Sequence, residues 1–533
     1  MSTPSPRRVA GVTVPLFSLR TERSWGLGEI GDLPDFARWL RTAGVRIVQL
    51  LPLGEIAGGE TSPYSALTAF GIDPMYLSVS AMEDLPTDQL PALLGDDGMR
   101  TIAWLKAQPG VAYEALRWLK NKAFTAGFAR FKASVIGTGG AREEDFLAFT
   151  REQAAWLDDY ALFRALKDAL EQRAWWEWPP GVRERHPEAM RNAREELADG
   201  VLKHTWLQWL AHRQWERARA ELRAMDVEVM GDLPFMVGGD SADVWAHRHD
   251  FRGDASVGVP GDQFDPDGQE WGLPPYDWKV MRGNGFAWLW RRAKYAGVLY
   301  DRFRIDHLVG FYRTYMRPTD RIRGPNGKLL PGFFDPSESD AQLAHGESVI
   351  GAMIAGAKES GAALVAEDLG DVPDYVRPSL TRLGVPGYKV LIWEQRDGRF
   401  HDPASYPALS VACLGTHDTA AVATWWEQLP AWERAAVCRL PVMAARGGDA
   451  LGARYTPAVQ EALTALVLGA GSDLVLLMAQ DVLGLPDRIN TPGTVGPHNW
   501  TWRLPRTVAS LAADEGVRAS LATLRALVDA SGR

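Results

Sequence analysis

Four acidic residues follow short apolar segments rich in β-branched residues, and this repetition is the clearest chemical signal in the chain. Asp232 lies in GDLPF, Asp306 in RIDH, Glu367 in VAEDLG and Asp418 in GTHD. A single acid in such a place is often a helix N-cap or a solvated charge. Four of them, two with a His directly beside the acid, are explained more simply by convergence on one site.

Two carboxylates that converge in this way can cleave a glycosidic bond. Retaining glycosidases use one carboxylate as nucleophile and a second, about 5 to 5.5 Å away, first as acid and then as base. Asp306 suits the nucleophile, because Arg304 two residues earlier can keep it ionised. Glu367 follows the apolar run ALVA and can hold a raised pKa, which suits the acid.

The histidines allow two interpretations each. His417 beside Asp418 can donate to a sugar hydroxyl, or it can be a structural hydrogen-bonding residue. His247 and His249 are two residues apart without a nearby Cys or further His cluster, so a surface turn is favoured over a metal pair. No phosphate-binding glycine loop or dinucleotide fingerprint stands out. We therefore predict no metal and no cofactor.

Bulk properties exclude several classes of protein. The 533 residues include 67 acidic and 58 basic side chains, a net charge of -9, which argues against a nucleic-acid partner. Cys413 and Cys438 are the two cysteines and form no CxxC pair, which favours a reduced cytoplasm. The N-terminus has no apolar run of signal-peptide length, and no segment reaches about 18 uninterrupted apolar residues. The expectation is a soluble cytoplasmic protein without membrane contact.

The acids need elements that bring them together, and the apolar pattern supplies eight candidate strands. Between most of them lie segments of helical period. Buried strands that alternate with helices predict an α/β fold with a parallel sheet, and eight units close as a (β/α)8 TIM barrel. The eighth segment fits a helix equally well. The predicted strands are 14–19, 46–53, 227–235, 300–308, 363–369, 389–394, 411–418 and 473–484.

Two spacings are too long for ordinary connections and predict insertions in a single catalytic barrel domain spanning 1–533. Residues 54–225, after strand 2, are rich in Ala, Leu, Glu, Arg and Trp at helical spacing and predict a helical subdomain. Residues 236–299, after strand 3, include the Gly-, Pro- and Asp-rich segment 258–278, which predicts a long active-site cover loop. The C-terminal segment has a helical pattern, so no C-terminal β-sandwich is expected.

These segments together resemble the amylomaltases, or disproportionating 4-α-glucanotransferases, of glycoside hydrolase family 77 in the α-amylase-like clan. RIDH, AEDLG and THD resemble the catalytic regions of the wider amylase group. SPYS, GQEWG and NTPGT in the same chain are specific to amylomaltases. The resemblance covers nearly the whole chain, although residues from about 85 to 225 show few family features.

The resemblance implies roles for individual residues. Asp306 would be the nucleophile, Glu367 the general acid/base, and Asp418 the third carboxylate, which holds hydroxyls of the donor ring. Arg304 would orient the nucleophile. The remaining implied substrate contacts are Tyr64, Asp232, Gln269, Trp271, Asp368, His417, Asn490 and Pro492.

The resemblance also implies a reaction. A segment of an α-1,4-glucan, such as starch, glycogen or a maltooligosaccharide, would move from a donor to glucose or a maltooligosaccharide with net retention, with cyclic glucans as further products. The expected state is a monomer or a weak homo-oligomer. Two alternatives stay open: a retaining α-1,4-glucan hydrolase of the amylase type, and a non-catalytic glucan-binding protein.

Overall fold

The protein is described by a computed structural model that covers residues 8–261, 267–325 and 327–533. In these residues, eight parallel strands close into a barrel with helices packed around it. The predicted α/β barrel is therefore confirmed. In chain order, strands β1 to β8 are Val9–Thr13, Ile47–Gln49, Glu228–Leu233, Arg302–Ile305, Ala363–Ala366, Gly387–Val390, Ser410–Cys413 and Leu474–Met478.

The strands follow one another around the barrel in sequence order, and β8 pairs with β1 to close it. Every residue of β1 and β8 is buried. Apolar, β-branched side chains suit such strands, because helices cover the outside and side chains fill the inside.

The first and the eighth predicted strands differ from the structure. The prediction of a strand at 14–19 is wrong, because β1 is Val9–Thr13 and Leu16–Ser18 form a 3-10 turn. Pro15 explains the difference, because it has no N–H to donate to a neighbouring strand. The eighth segment contains both expected structures, since β8 is followed directly by helix Ala479–Leu483.

Helices connect most of the strands. Leu33–Arg41 lies between β1 and β2, and Ala287–Leu299 precedes β4. Ser339–Glu359 precedes β5 and Val376–Leu383 precedes β6. The later helices are Val422–Gln428, Ala431–Cys438, Pro441–Ala445, Pro457–Leu468, Val508–Ala513 and Glu515–Ala530.

The chain between β2 and β3 first forms an irregular segment and then a group of helices. The irregular part is held by isolated bridges from Gly54 to Ile72 and from Ile56 to Ala66. The helices pack around buried aromatic side chains, among them Phe131, Trp206 and Trp209. Their bounds are Leu90–Ala107, Tyr113–Ser134, Ala141–Ala169, Pro180–Arg183, Pro187–Glu196 and Ala198–Ala224.

The chain between β3 and β4 contains strands where the sequence indicated loop. Ala255–Val259 pairs with Gln269–Glu270 and with Thr314–Pro318, and Phe333–Asp335 completes a four-stranded antiparallel sheet. The sequence did not predict this sheet, because its strands are short and come from both sides of β4. Helices Ala242–Ala246 and Trp278–Gly283 lie in the same connection. The predicted cover segment also includes residues 262–266, which lie outside the described residues.

Candidate active site

The register of β3, β4 and β5 sets the positions of three predicted site residues. Asp232 pairs with Arg304, and Ile305 pairs with Ala366 on the next strand. Asp306 and Glu367 therefore leave neighbouring strands at the same level, and the Glu367 N–H donates to the Ile305 carbonyl at 3.0 Å. Adjacent strands lie about 4.7 to 4.9 Å apart, so the two acids begin side by side.

Arg304 joins two carboxylates. One nitrogen donates to Asp232 Oδ2 at 2.5 Å and the other to Asp306 Oδ1 at 2.7 Å. Arg304 and Asp232 are almost fully buried, whereas the Asp306 side chain is 27% exposed. Burial raises the pKa of Asp232, although the Arg304 charge opposes this. The guanidinium thus fixes one oxygen of Asp306, whose side chain stays partly exposed.

Glu367 differs from Asp306 in the groups that act on its carboxyl. Burial, together with the negative charge of Asp306, raises its pKa to about 8 despite the opposing charge of Arg304. The backbone N–H of His307 donates to Glu367 Oε2 at 2.7 Å. His307 has φ 42°, in the left-handed region, which is uncommon for a residue with a side chain and is found at sites where geometry is imposed. The raised pKa favours the protonated form of Glu367 at neutral pH, next to a carboxyl that is paired with Arg304.

Asp418 is held in the charged form by its neighbours. Burial alone would raise its pKa, but His417, Asn490 and Arg304 outweigh burial and hold that pKa well below its usual range. Asn490 Nδ2 donates to Asp418 Oδ1 at 2.6 Å, and His417 Nε2 lies 3.3 Å from Oδ2. The Asn490 N–H also donates to the His417 carbonyl at 3.2 Å. The segment after β7 and the segment around residue 490 are thus joined at this carboxylate.

Aromatic rings cover one side of the cluster. The Tyr64 hydroxyl donates to Asp232 Oδ2 at 2.8 Å and lies 3.0 Å from His417 Nε2. Its ring stacks on His417, with centroids 5.7 Å apart and an angle of 18°. Trp500 lies against both rings, at 5.6 Å from Tyr64 and 5.8 Å from His417. Tyr64 therefore connects the β3 carboxylate to the β7 histidine.

The antiparallel sheet brings two further predicted residues to the other side. Trp271 lies edge to face on His307 with centroids 5.2 Å apart, and His307 directly follows Asp306. The Trp271 Nε1–H donates to Gln269 Oε1 at 3.1 Å, and its backbone N–H donates to the Val257 carbonyl at 2.9 Å. Gln269 and Trp271 thus form part of the rim next to Asp306.

The last two predicted substrate contacts, Asp368 and Pro492, have surroundings that differ from those of the residues above. The Asp368 side chain accepts from the Tyr388 backbone N–H at 2.7 Å and from Arg377 at 3.0 Å, and the residue is 2% exposed. Its carboxylate is therefore occupied within the protein. Pro492 is exposed, two residues after Asn490, in the turn that the Asn499 side chain holds at Thr491.

The sequence interpretation did not include His307 and Trp500 among the site residues. Two sequence features could have indicated these residues. His307 directly follows Asp306 in RIDH, and Trp500 belongs to an Asn-Trp pair after NTPGT. Neither signal gives the contact itself, because Trp500 meets Tyr64 across more than 400 positions of chain.

One set of three side chains outside this cluster has ligand atoms of the kind that bind metals. Ligand atoms of His247, His249 and Asp250 lie within 4.8 Å of one another. Asp250 Oδ1, however, already accepts from Asn284 at 3.2 Å, and Asp250 is buried. That no metal binds stays a prediction. Across the described ranges, no helix combines the length and the apolar character that a membrane span requires.

The parallel barrel, with ionisable residues gathered at the carboxyl ends of its strands, defines the class as a (β/α)8-barrel protein whose candidate active site lies where barrel enzymes have theirs. The model of the 4-alpha-glucanotransferase family, glycoside hydrolase family 77, matches residues 14–509. The chain belongs to this family.

Relatives along the full length agree with that assignment. A 4-alpha-glucanotransferase from Thermus thermophilus is 33% identical, with 96% of both chains covered. One from Chlamydia caviae is 30% identical over 96% of this chain and 94% of its own. An amylomaltase from Streptococcus agalactiae, solved in complex with acarbose, is similar in structure with a TM-score of 0.80 and 25% identity, covering 99% of this chain and 100% of that one. The predicted resemblance is therefore confirmed, and the chain is a 4-alpha-glucanotransferase by family.

Proposed function

We propose that this enzyme transfers segments of α-1,4-glucans between chains by double displacement with net retention. The observation that supports it most is the division of charge between two adjacent acids. Asp306 is paired with Arg304, while the neighbouring Glu367 has a pKa raised to about 8. A retaining mechanism needs a nucleophilic carboxylate beside a protonated acid, and the ion pair at Asp306 and the raised pKa of Glu367 support these two roles.

In the first step, an oxygen of Asp306 attacks the anomeric carbon of the donor. The attacking atom is Oδ2, because Arg304 holds Oδ1. The bond from that carbon to the bridging oxygen breaks as Glu367 gives its proton to the oxygen, which leaves as the 4-hydroxyl of the departing glucan. An ester between the glucan and Asp306 remains.

In the second step, the 4-hydroxyl of an acceptor glucan attacks the same carbon from the side the first glucan left. Glu367 takes the proton of that hydroxyl, the new glycosidic bond forms, and Asp306 is released as a carboxylate. Burial still raises the Glu367 pKa at this stage, but Asp306, once esterified, no longer adds the negative charge that raised it further. Glu367 is therefore more readily ionised than in the first step and can accept the proton of the attacking hydroxyl. An acceptor hydroxyl on the same glucan would give a cyclic product.

The remaining residues divide into contact and positioning roles. Asp418, fixed by Asn490, would bind hydroxyls of the donor ring together with His417. Tyr64 and Trp271 would cover the ring from two sides, with Gln269 and Pro492 as outer contacts. Asp232 and Asp368 are positioning residues, since Asp232 is bound to Arg304 and Tyr64, and Asp368 to Arg377 and Tyr388.

Several broader features belong to the same proposal. The whole chain, 1–533, works as a single catalytic barrel with insertions at 54–225 and 236–299. The substrates are α-1,4-glucan donors with glucose or maltooligosaccharide acceptors. Cys413 and Cys438 are buried free thiols, which suits a reducing cytoplasm.

Product analysis with maltotriose tests the proposal. Disproportionation gives glucose and longer oligosaccharides with an unchanged number of reducing ends, whereas hydrolysis raises that number. The variant Asp306→Asn is expected to lose about a thousand-fold or more in kcat while it still binds maltoheptaose by tryptophan fluorescence. A rising number of reducing ends would make the enzyme a hydrolase, and equal turnover by Asp306→Asn and the parent would exclude the nucleophile.

A further inference from the structure

Trp500 adopts a backbone conformation that a tryptophan rarely takes. Its φ is 62°, in the left-handed region, where a residue with a bulky side chain is strained. Such a conformation persists only where the surrounding structure imposes it, and it is common at functional sites. The residue is 8% exposed, and its ring lies against Tyr64 and His417. The strain therefore occurs at the residue that completes the aromatic side of the cluster.

Hydrogen bonds hold the backbone of Trp500 on both sides. Its N–H donates to the Ile489 carbonyl at 2.9 Å, and its carbonyl accepts from the Tyr113 hydroxyl at 2.7 Å. The carbonyl of the next residue, Thr501, accepts from the Val111 N–H at 2.8 Å. Val111 and Tyr113 belong to the segment between β2 and β3, and Tyr113 begins its second helix. The helical segment thus binds two consecutive carbonyls, those of Trp500 and Thr501.

The Trp500 ring supports two side chains that are bound to carboxylates of the cluster. Its centroid lies 5.6 Å from that of Tyr64 and 5.8 Å from that of His417, and these two rings stack on each other. The Tyr64 hydroxyl donates to Asp232, and His417 Nε2 lies 3.3 Å from Asp418 Oδ2. A displacement of the Trp500 ring would therefore move contacts of both carboxylates at once.

We propose that Tyr113 and Trp500 are positioning residues through which the helical segment between β2 and β3 sets the Tyr64–His417 stack. This inference rests on the proposed function, in which Tyr64 and His417 bind the donor ring. Tyr113 acts through the Trp500 carbonyl, and Trp500 acts through the two rings. Contacts to the donor ring strengthen in the transition state, so a loss of their geometry should lower kcat more than it raises KM.

The variant Tyr113→Phe removes the hydroxyl that holds the Trp500 carbonyl and keeps the ring. Its kcat for transfer from maltotriose is expected to fall roughly three- to tenfold, with KM within about twofold of the parent. The fall should be the same with α-maltosyl fluoride, because the donor ring is affected and the proton of Glu367 is not.

Tyr312→Phe is the matched control for that variant. Tyr312 is also buried, and its hydroxyl donates at 2.8 Å to Ser379, on helix Val376–Leu383 outside the barrel. Thermal unfolding shows what each lost hydrogen bond costs in stability. Tyr312→Phe should keep the kcat of the parent even where its unfolding temperature falls as far as that of Tyr113→Phe.

A double-mutant cycle tests whether Tyr113 acts through Trp500. Trp500→Gly removes the ring and leaves a residue that tolerates the left-handed φ, so kcat should fall roughly 10- to 100-fold. Adding Tyr113→Phe to Trp500→Gly should then change kcat by less than about twofold, because the ring that the hydroxyl positions is gone.

Four results would overturn the positioning role. They are an unchanged kcat in Tyr113→Phe, an equal fall in Tyr312→Phe, a smaller fall with α-maltosyl fluoride than with maltotriose, and a full further fall when Tyr113→Phe is added to Trp500→Gly. Failure of the proposed function gives a different result, because the parent enzyme would then not disproportionate maltotriose at all.

Discussion

At the scale of single residues, Arg304 determines how two neighbouring acids differ. It binds Asp306 directly and reaches Glu367 only through its charge, so burial dominates at Glu367. The negative charge of Asp306 then opposes ionisation of Glu367. Direct pairing with the Arg304 guanidinium at one acid, and burial with a raised pKa at the other, thus give two adjacent carboxyls different environments.

This difference predicts the pH dependence of the reaction. Glu367 must give a proton to a glucan leaving group, so kcat/KM for maltotriose is expected to fall as pH rises through about 8. A donor with fluoride in place of the leaving sugar needs less proton transfer. Glu367→Gln should therefore lose far more activity with maltotriose than with α-maltosyl fluoride, measured as release of glucose and of fluoride. Equal losses with both donors would contradict the acid role.

The sequence predicts part of this site for a clear physical reason. Strand ends of a parallel barrel converge, so acids after separate strands could be grouped before any contact was known. The occupied carboxylate of Asp368 could not be predicted, because its partner Arg377 becomes a neighbour only when helix Val376–Leu383 packs. The Trp500 contact depends on loop packing in the same way.

At the scale of elements, the antiparallel sheet controls the rim beside Asp306. Ala255–Val259 and Gln269–Glu270 pair closely, and Trp271 continues from the second strand. The Gly, Pro and Asp content of this segment indicated a loop. Pairing with Thr314–Pro318, which follows β4, provides the strand structure that local composition could not indicate.

Gly258 is the position at which this sheet can be tested. A Cβ there would lie 2.1 Å from the Gln269 carbonyl oxygen, so Gly258→Ala must separate the two strands and shift Trp271. We expect transfer from maltotriose to fall roughly 10- to 100-fold, because small displacements of positioning groups are costly. The share of hydrolysis, counted as new reducing ends, should rise as water gains access.

Gly253→Ala is the matched control for that variant. Gly253 precedes the same strand, and a Cβ there would meet nothing within 4 Å. Its transfer rate should equal that of the parent. If Gly258→Ala kept the parent's rate and product ratio, the sheet would not position the rim.

At the scale of the whole molecule, a buried ion pair attaches the segment between β2 and β3 to the barrel. Lys120, on helix Tyr113–Ser134, lies 2.7 Å from Glu29, and both side chains are 1% exposed. Lys120 Nζ also donates to the carbonyls of Met75 and Leu77 at 2.6 and 2.7 Å. One ammonium group thus joins the connection after β1, the irregular segment and a helix. The helical period was visible in the sequence, but this attachment was not.

Removing the ammonium predicts a pH-dependent loss of stability. Burial already raises the pKa of Glu29 to about 7 although Lys120 opposes it, so Lys120→Met should raise that pKa further. A carboxyl with a raised pKa in the folded state stabilises the fold less as pH rises through that pKa. The loss should therefore be small near about pH 5 and reach roughly 3 to 5 kcal/mol near about pH 8.5, since a buried charge would then lack its partner.

Calorimetric unfolding at both pH values, with two further variants, decides whether the pair has this role. Lys132→Met changes an exposed lysine of the same helix, 46% exposed and paired with Asp199, and should cost less than about 1 kcal/mol at either pH. Glu29→Gln combined with Lys120→Met removes the charge that was left unpaired, so the double variant should recover stability at the higher pH but not at the lower. If Lys120→Met lost the same stability at both pH values, packing rather than the Glu29 charge would account for the attachment.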